Sequence, residues 1–230
     1  MLVVVLDELI NKGDFLEFHF TGREKASGLV FDTTEQEHST NYSPIRICVG
    51  EGNVLAGLDN SLVGKELGRK YTVTISPEEG FGKRNADLIK IMPTSTLIEQ
   101  DVEPKPGLTI NFGGVLGVIK GVTGGRTIID FNHPLAGKEL EYEFTASRKI
   151  TETAEKIQSL LDMSLRDFDV SLKDSKVTVK TMDNLNSEVK EKLTQQIKRL
   201  VPDVNEIEFL HEEGRGKKGE AASEEPDEVK

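Results

Sequence analysis

The chain has 230 residues, with 29 Lys and Arg against 40 Asp and Glu, giving a net charge of -11. That length suits two or three small domains, and the acidic balance argues against a nucleic-acid-binding protein, because neutralising phosphates needs a clustered excess of Lys and Arg. The single cysteine, Cys48, lies in the apolar run Ile45 to Val49 and reads as a buried thiol of a reducing compartment, and no apolar segment approaches the roughly 20 residues that span a bilayer.

The opening MLVVVLDELINKG lacks a basic start and reaches Asp7 and Glu8 at once, so it does not fit a signal peptide and the expectation is a cytoplasmic protein. In DFLEFHFTG, Leu16, Phe18 and Phe20 alternate with Glu17 and His19, the pattern of a half-buried strand. IRICVG repeats it with Ile45, Ile47 and Val49. The stretch VLAGLDNSLVGKELG places Val54, Leu55, Leu58 and Leu62 at helical spacing, interrupted by Gly57 and stopped by Gly64 and Gly68 within about three turns. So short a helix needs a larger surface to lie on. KYTVTIS supplies another strand with Tyr71, Val73 and Ile75, and KELEYEFT a further one, with Leu140, Tyr142 and Phe144 inward and Glu139, Glu141 and Glu143 outward.

Between Lys83 and Asp130 the texture changes to short β-like runs punctuated by glycine: LIKIMP, then LTINFGGVLGVIKGVTGGRTIIDF, with VTGGR a hairpin turn. This reads as a small β domain inserted into the first. Gly113, Gly114, Gly117 and Gly121 lack the Gly-Lys-Ser/Thr ending and the following helix of a phosphate-binding loop, so hairpins are the better reading. From Thr151 the order is αββαβ: a helix with Ala154, Ile157, Leu160 and Leu161 on one side, two strands around a Lys-Asp-Ser turn, a helix with a Val189, Leu193, Ile197 and Leu200 stripe, and the strand NEIEFLHEE. The tail from Glu212 has no apolar residues large enough to fold and reads as a disordered, solvating end. The domains are therefore 1–84 with 131–150, an insert at 85–130, a C-terminal α+β domain at 151–211, and a charged tail at 212–230.

Conventional catalytic constellations are missing. His19, His38, His133 and His211 have no metal-ligand spacing and read as structural or surface residues, so no metal and no cofactor is expected. Glu78 and Glu79 read as a solvated turn. What stands out is a set of inward apolar and aromatic residues beside an embedded acid: Phe20, Phe31 with Asp32, Phe81 between two glycines, and Tyr142. Each alone is consistent with a plain core.

Together the strings FHFTG (18–22), VFDTT (30–34), PIRICVGEGNVLAGLDNSLVGKELG (44–68), YTVTISPEEGFGKRN (71–85) and FNHPLAGKELEYEF (131–144) resemble the FK506-binding protein family of peptidyl-prolyl isomerases. NHPLAGK with an insert before it is similar to the SlyD-like branch, and the C-terminal extension to archaeal long-type members. The resemblance implies an α+β fold, a half-barrel antiparallel sheet around the short helix, with a proline pocket between them. It implies catalytic roles for Phe20, Asp32, Phe81 and Tyr142 and substrate contacts from Ile45, Val54, Leu55, Leu58 and Leu135. Phe20 and Phe81 stand where the family usually has tyrosine, Tyr142 where it has phenylalanine, Ile45 where an aromatic is common, and Leu58 where tryptophan is frequent. These departures widen the pocket floor, remove two hydroxyls and speak against strong binding of FK506. For Asp32 a hydrogen-bonded structural acid is the alternative role.

The implied function is isomerisation of X-Pro bonds in unfolded or partly folded chains. The insert, whose runs Leu88 to Met92 and Val115 to Ile119 offer apolar residues and open strand edges, would act as a folding chaperone, with a holdase of residual isomerase activity as the alternative and a non-catalytic scaffold as a weaker one. No nucleic acid or membrane is expected as a partner, and the strand edges and small core of the C-terminal domain suit a homodimer.

Overall fold

The computed structural model describes residues 9–35 and 43–211; the tail at 212–230, His38 and the first eight residues of the opening run lie outside the described residues. Two units divide between Ile150 and Thr151. The first is built on a five-stranded antiparallel sheet. At its centre, β1 (Phe15–Glu24) runs along β9 (Leu140–Lys149) on one side. On the other side, β3 (Ile45–Cys48) pairs with residues 15–18 and β2 (Val30–Thr33) with residues 21–23. β4 (Lys70–Ile75) lies beyond β9. The alternation places Leu16, Phe18, Phe20, Ile47, Ile75, Leu140, Tyr142, Phe144 and Ala146 in one buried cluster. Register slips opposite Glu17–Phe18 and Gly22–Arg23 of β1 leave one extra residue in each partner strand, Ser147 in β9 and Phe31 in β2, as bulges do. Cys48 is buried, as the apolar run implied.

α1 (Ala56–Leu62) spans seven residues, two turns rather than three, and begins after Val54 and Leu55. It has no side-chain cap of its own. Its anchor is instead the buried Asp59, whose carboxylate accepts from the Gly50 N–H at 2.8 Å and the Gly52 N–H at 3.1 Å, tying the preceding turn to the helix. Leu58 and Leu62 are fully buried against the sheet. The glycine inside the helical pattern has a packing cause: a Cβ on Gly57 would lie 2.6 Å from Ile75 Cγ2, so only glycine permits this approach of helix and strand.

The insert forms a four-stranded antiparallel sheet, β5 (Ile89–Pro93), β8 (Arg126–Asp130), β7 (Val115–Thr123) and β6 (Thr109–Phe112) in spatial order. Its hairpins turn on Gly113-Gly114 and Gly124-Gly125, all four at positive φ, as tight two-residue turns require. Two features depart from the sequence reading. A five-residue helix, α2 (Thr94–Ile98), follows β5 and buries Leu97 with Ile110, Ile119 and Ile129. Val115 to Ile119 is not an open edge, because β7 pairs with both β6 and β8; the edges are β5 and β6. With so small a core, Ile91, Ile98, Val115 and Leu116 remain more than half exposed.

A polar clasp holds the two chain crossings of the insert. Asp130, only 4% exposed, pairs with Arg84 and accepts from the Asn132 backbone at 3.0 Å and its side-chain amide at 2.7 Å. Asn132 in turn exchanges hydrogen bonds with the backbone of Asn85 at 2.8 and 3.0 Å.

The second unit contains α3 (Thr153–Leu161), β10 (Phe168–Lys173), β11 (Lys176–Thr181), α4 (Ser187–Leu200) and β12 (Glu206–His211). β10 and β11 form an antiparallel hairpin, whereas β12 runs parallel to β11 and needs the α4 crossover to do so. Asn186 caps α4 by accepting from the Val189 N–H at 2.9 Å, and Lys198 and Arg199 occupy the last turn, favourable to the helix dipole. Ile157, Leu160, Leu161, Val177, Val179, Leu193 and Ile197 are its buried apolar residues of helix and strand.

Candidate active site

Eight of the nine site residues expected from the sequence fall in one apolar cluster. Phe20, Leu58 and Tyr142 are buried in it, and Ile45, Val54, Leu55, Phe81 and Leu135 are partly buried against it. The strands dictate this: Phe20 and Tyr142 are inward residues of paired β1 and β9, with ring centroids 5.7 Å apart. Tyr142 meets Phe31 edge to face at 5.8 Å, Phe31 meets Phe81 likewise at 6.0 Å, and Phe81 stacks on His133 at 4.2 Å with only 8° between the planes. An aromatic row thus runs from the sheet to the loop that follows the insert, its two edge-to-face contacts in the geometry that ring quadrupoles favour.

Asp32 departs from the expectation of an embedded acid, because it is exposed. β2 is a four-residue edge strand, and its carboxylate is left open to water. Its tie to the site is electrostatic. Burial is the main cause that pushes the Tyr142 phenol above its ordinary range, and the negative charge of Asp32 adds to it. Tyr142 is therefore a neutral hydroxyl at any physiological pH.

Three residues that sequence reasoning did not assign to the site shape it. Gly22 lies opposite Asp32 in the β1–β2 ladder, and a Cβ there would sit 2.8 Å from Phe31 Cζ and 2.9 Å from Tyr142 Cε1. Thr34, buried at the end of VFDTT, accepts from the Phe20 N–H at 2.9 Å through Oγ1 while its own N–H donates to the Phe20 carbonyl at 2.9 Å. His133, read as a surface histidine, stacks on Phe81. At the start of α1, among the described residues, the Leu55 N–H donates to no backbone carbonyl. That is the orphan donor expected at an uncapped helix N-terminus.

Among the described residues no group of three or more His, Cys, Asp or Glu could hold a metal ion, and no helix is long and apolar enough to cross a membrane.

The model of the FKBP-type peptidyl-prolyl cis-trans isomerase family matches residues 7–99, and that of the FKBP26 IF domain matches residues 90–135. The chain is 36% identical over 143 residues to the short-type peptidyl-prolyl cis-trans isomerase of Methanocaldococcus jannaschii, covering 58% of this chain and 90% of that protein. It is 32% identical over 145 residues to a probable FKBP-type 16 kDa peptidyl-prolyl cis-trans isomerase of Pseudomonas fluorescens, covering 61% and 91%. Against the FKBP-type isomerase SlyD of Vibrio cholerae it is 34% identical over 122 residues, covering 50% of this chain and 60% of that one. With the aromatic cluster on its antiparallel sheet and these matches in hand, the chain belongs to the FKBP-type peptidyl-prolyl cis-trans isomerases.

Proposed function

We propose that this isomerase turns X-Pro bonds of folding polypeptides over the cluster of Phe20, Leu58, Phe81 and Tyr142, and that its insert retains the same chains as a folding chaperone. The observation that carries the first half is the aromatic row that joins Phe20, Tyr142, Phe31 and Phe81, with Leu55 packed against the same cluster.

The chemistry is physical. Rotation about a peptide C–N bond costs about 18–20 kcal/mol, because the planar, charge-separated resonance form must be broken. For X-Pro the two planar isomers differ by only about 0.5–1 kcal/mol, so the barrier is the obstacle. The twisted amide has less charge separation than the planar one. A dry, apolar wall therefore favours it differentially, which is what catalysis requires. Ile45, Val54 and Leu135 extend that wall to the neighbouring residues of the substrate, and the Leu55 N–H holds a substrate carbonyl. Tyr142 offers a neutral hydroxyl, and no proton leaves any group. Asp32 acts on the site through its charge.

The insert's exposed Ile91, Ile98, Val115 and Leu116, with the open edges of β5 and β6, favour capture of extended chain by strand addition. Its clasp at Arg84 and Asp130 stands three residues from Phe81 and from His133, so a captured chain is held beside the pocket. Tethering raises the local concentration of a proline by up to about the millimolar range. The same apolar residues support the second reading, a holdase with residual isomerase activity. We further assign the chain to the cytoplasm and to the archaeal long type, with residues 151–211 pairing two copies.

The test replaces residues 85–130 by a short turn. Activity on a proline tetrapeptide should stay within a few-fold of wild type, while catalysis of proline-limited protein refolding and suppression of aggregation should collapse. Equal losses on peptide and protein would refute the two-site reading. Loss of aggregation suppression with protein refolding rates intact would favour the holdase.

A further inference from the structure

His133 touches two residues of the pocket at once. Its imidazole covers the face of Phe81 at 4.2 Å and 8°, and its Nδ1 accepts a hydrogen bond from the Leu135 N–H at 3.2 Å. The second contact is a local turn of the kind Asx side chains make, a side-chain acceptor bonded to the N–H two residues on. With Nδ1 accepting, the neutral ring carries its proton on Nε2. The ring therefore fixes the far end of the aromatic row from one side and the backbone of Leu135 from the other. Phe81 has one further ring partner, the edge contact with Phe31, which constrains it less than two partners do.

We infer that His133 is a positioning residue of the isomerase: its stack holds the Phe81 ring at the pocket rim, and its Nδ1 holds the loop that presents Leu135. The inference rests on the reading of Phe81 and Leu135 as pocket residues.

Two substitutions separate the contacts. His133→Asn keeps an acceptor for the Leu135 N–H and removes the stack; His133→Phe keeps the stack and removes the acceptor. In a protease-free tetrapeptide assay on the full chain, each should lower kcat/KM about two- to tenfold at pH 8, the range that one aromatic pair or one hydrogen bond supports. Both should keep the wild-type thermal midpoint, because His133 is exposed. The Phe81 ring resonances should move in His133→Asn while the Leu135 amide stays in place, and the Leu135 amide should move in His133→Phe while the Phe81 ring stays in place. Wild-type activity in both variants, with Phe81→Ala impaired, overturns the role of His133 and leaves the pocket standing. Full activity in Phe81→Ala removes the pocket assignment and this inference with it. Leu135 and Phe81 resonances that stay fixed in both variants also overturn it, whatever their activities.

Discussion

Gly22→Ala tests the pocket from within the sheet. The new methyl carbon would stand 2.8 Å from Phe31 Cζ, 2.9 Å from Tyr142 Cε1 and 3.0 Å from Phe31 Cε2. Carbon atoms rest about 3.5–4.0 Å apart, so both rings must retreat by roughly 0.5–1 Å. Neither ring has an easy way out: Phe31 is wedged between Phe81 and Tyr142, and Tyr142 between Phe20 and Phe31. Overpacking of this kind costs about 1–3 kcal/mol of stability. The catalytic loss should be larger than stability alone implies, because a misplacement of about 1 Å in a positioned site costs on the order of a hundredfold. We therefore expect Gly22→Ala to stay folded at 25 °C, with a denaturation midpoint lowered at unchanged slope, and to lose at least tenfold in kcat/KM on a proline tetrapeptide. A variant that is destabilised by the stated amount yet isomerises at the wild-type rate would show that the positions of Phe31 and Tyr142 do not matter to turnover, and the assignment of the aromatic row would fall.

Asp32→Ala should lower kcat/KM by less than Phe81→Ala does, since no proton transfer runs through the carboxylate, and the Tyr142 phenol should ionise at lower pH once that negative charge is gone, as read by tyrosine absorbance on alkaline titration. At the insert's clasp, burial alone would raise the Asp130 carboxyl, but the Asn132 hydrogen bonds and the Arg84 charge outweigh it and hold it below the ordinary aspartate range. A carboxyl depressed in the folded state contributes stability that is full above its unfolded value and is lost as pH falls through the folded one. Wild type should therefore lose stability against denaturant below about pH 4 more steeply than Asp130→Asn does, and parallel curves would contradict the clasp. Removing residues 151–230 should lower the mass measured by light scattering to about a third if this region pairs two chains, because the partner is lost along with 80 of the 230 residues, and to about two-thirds if the intact protein is a monomer.

Much of the sheet was legible because its faces alternate strictly: Leu16, Phe18 and Phe20 against Glu17 and His19, and Leu140, Tyr142 and Phe144 against their glutamates, leave one register that buries apolar residues. The Gly-Gly turns of the insert were legible for a backbone reason, since two successive positive φ values select glycine. What escaped had no local pattern. α2 is five residues long, too short for helical periodicity to show, and is held by a single buried Leu97. β2 is four residues at an edge, so nothing in VFDT told which side of Asp32 met water. His133 and Phe81 are 52 positions apart and meet only because Arg84 and Asp130 close the chain between them. Gly22 had a usable signal, a glycine inside a ten-residue strand, which marks either a bulge or a close approach; here it marks both.

The same geometry explains how the pocket tolerates its departures from the family pattern. Against that pattern, Phe20 and Phe81 lack hydroxyls where tyrosine is usual, while Tyr142 carries one where phenylalanine is usual. Phe20 and Tyr142 are diagonal cross-strand neighbours, because Phe20 faces Phe144 and Gly22 faces Tyr142, and their rings touch at 5.7 Å. A hydroxyl moved from one ring to the other therefore stays within the same apolar cluster and changes strand rather than site. Burial keeps it protonated on β9, with the charge of Asp32 working in the same direction. On the proposed reading, the requirement that survives is an apolar wall for a twisted amide with one neutral donor beside it, and either strand could supply the donor. The ring that cannot be exchanged in this way is Phe81. It lies off the sheet, after a turn of Pro77–Glu79, and its ring contacts are Phe31 on one side and His133 on the other.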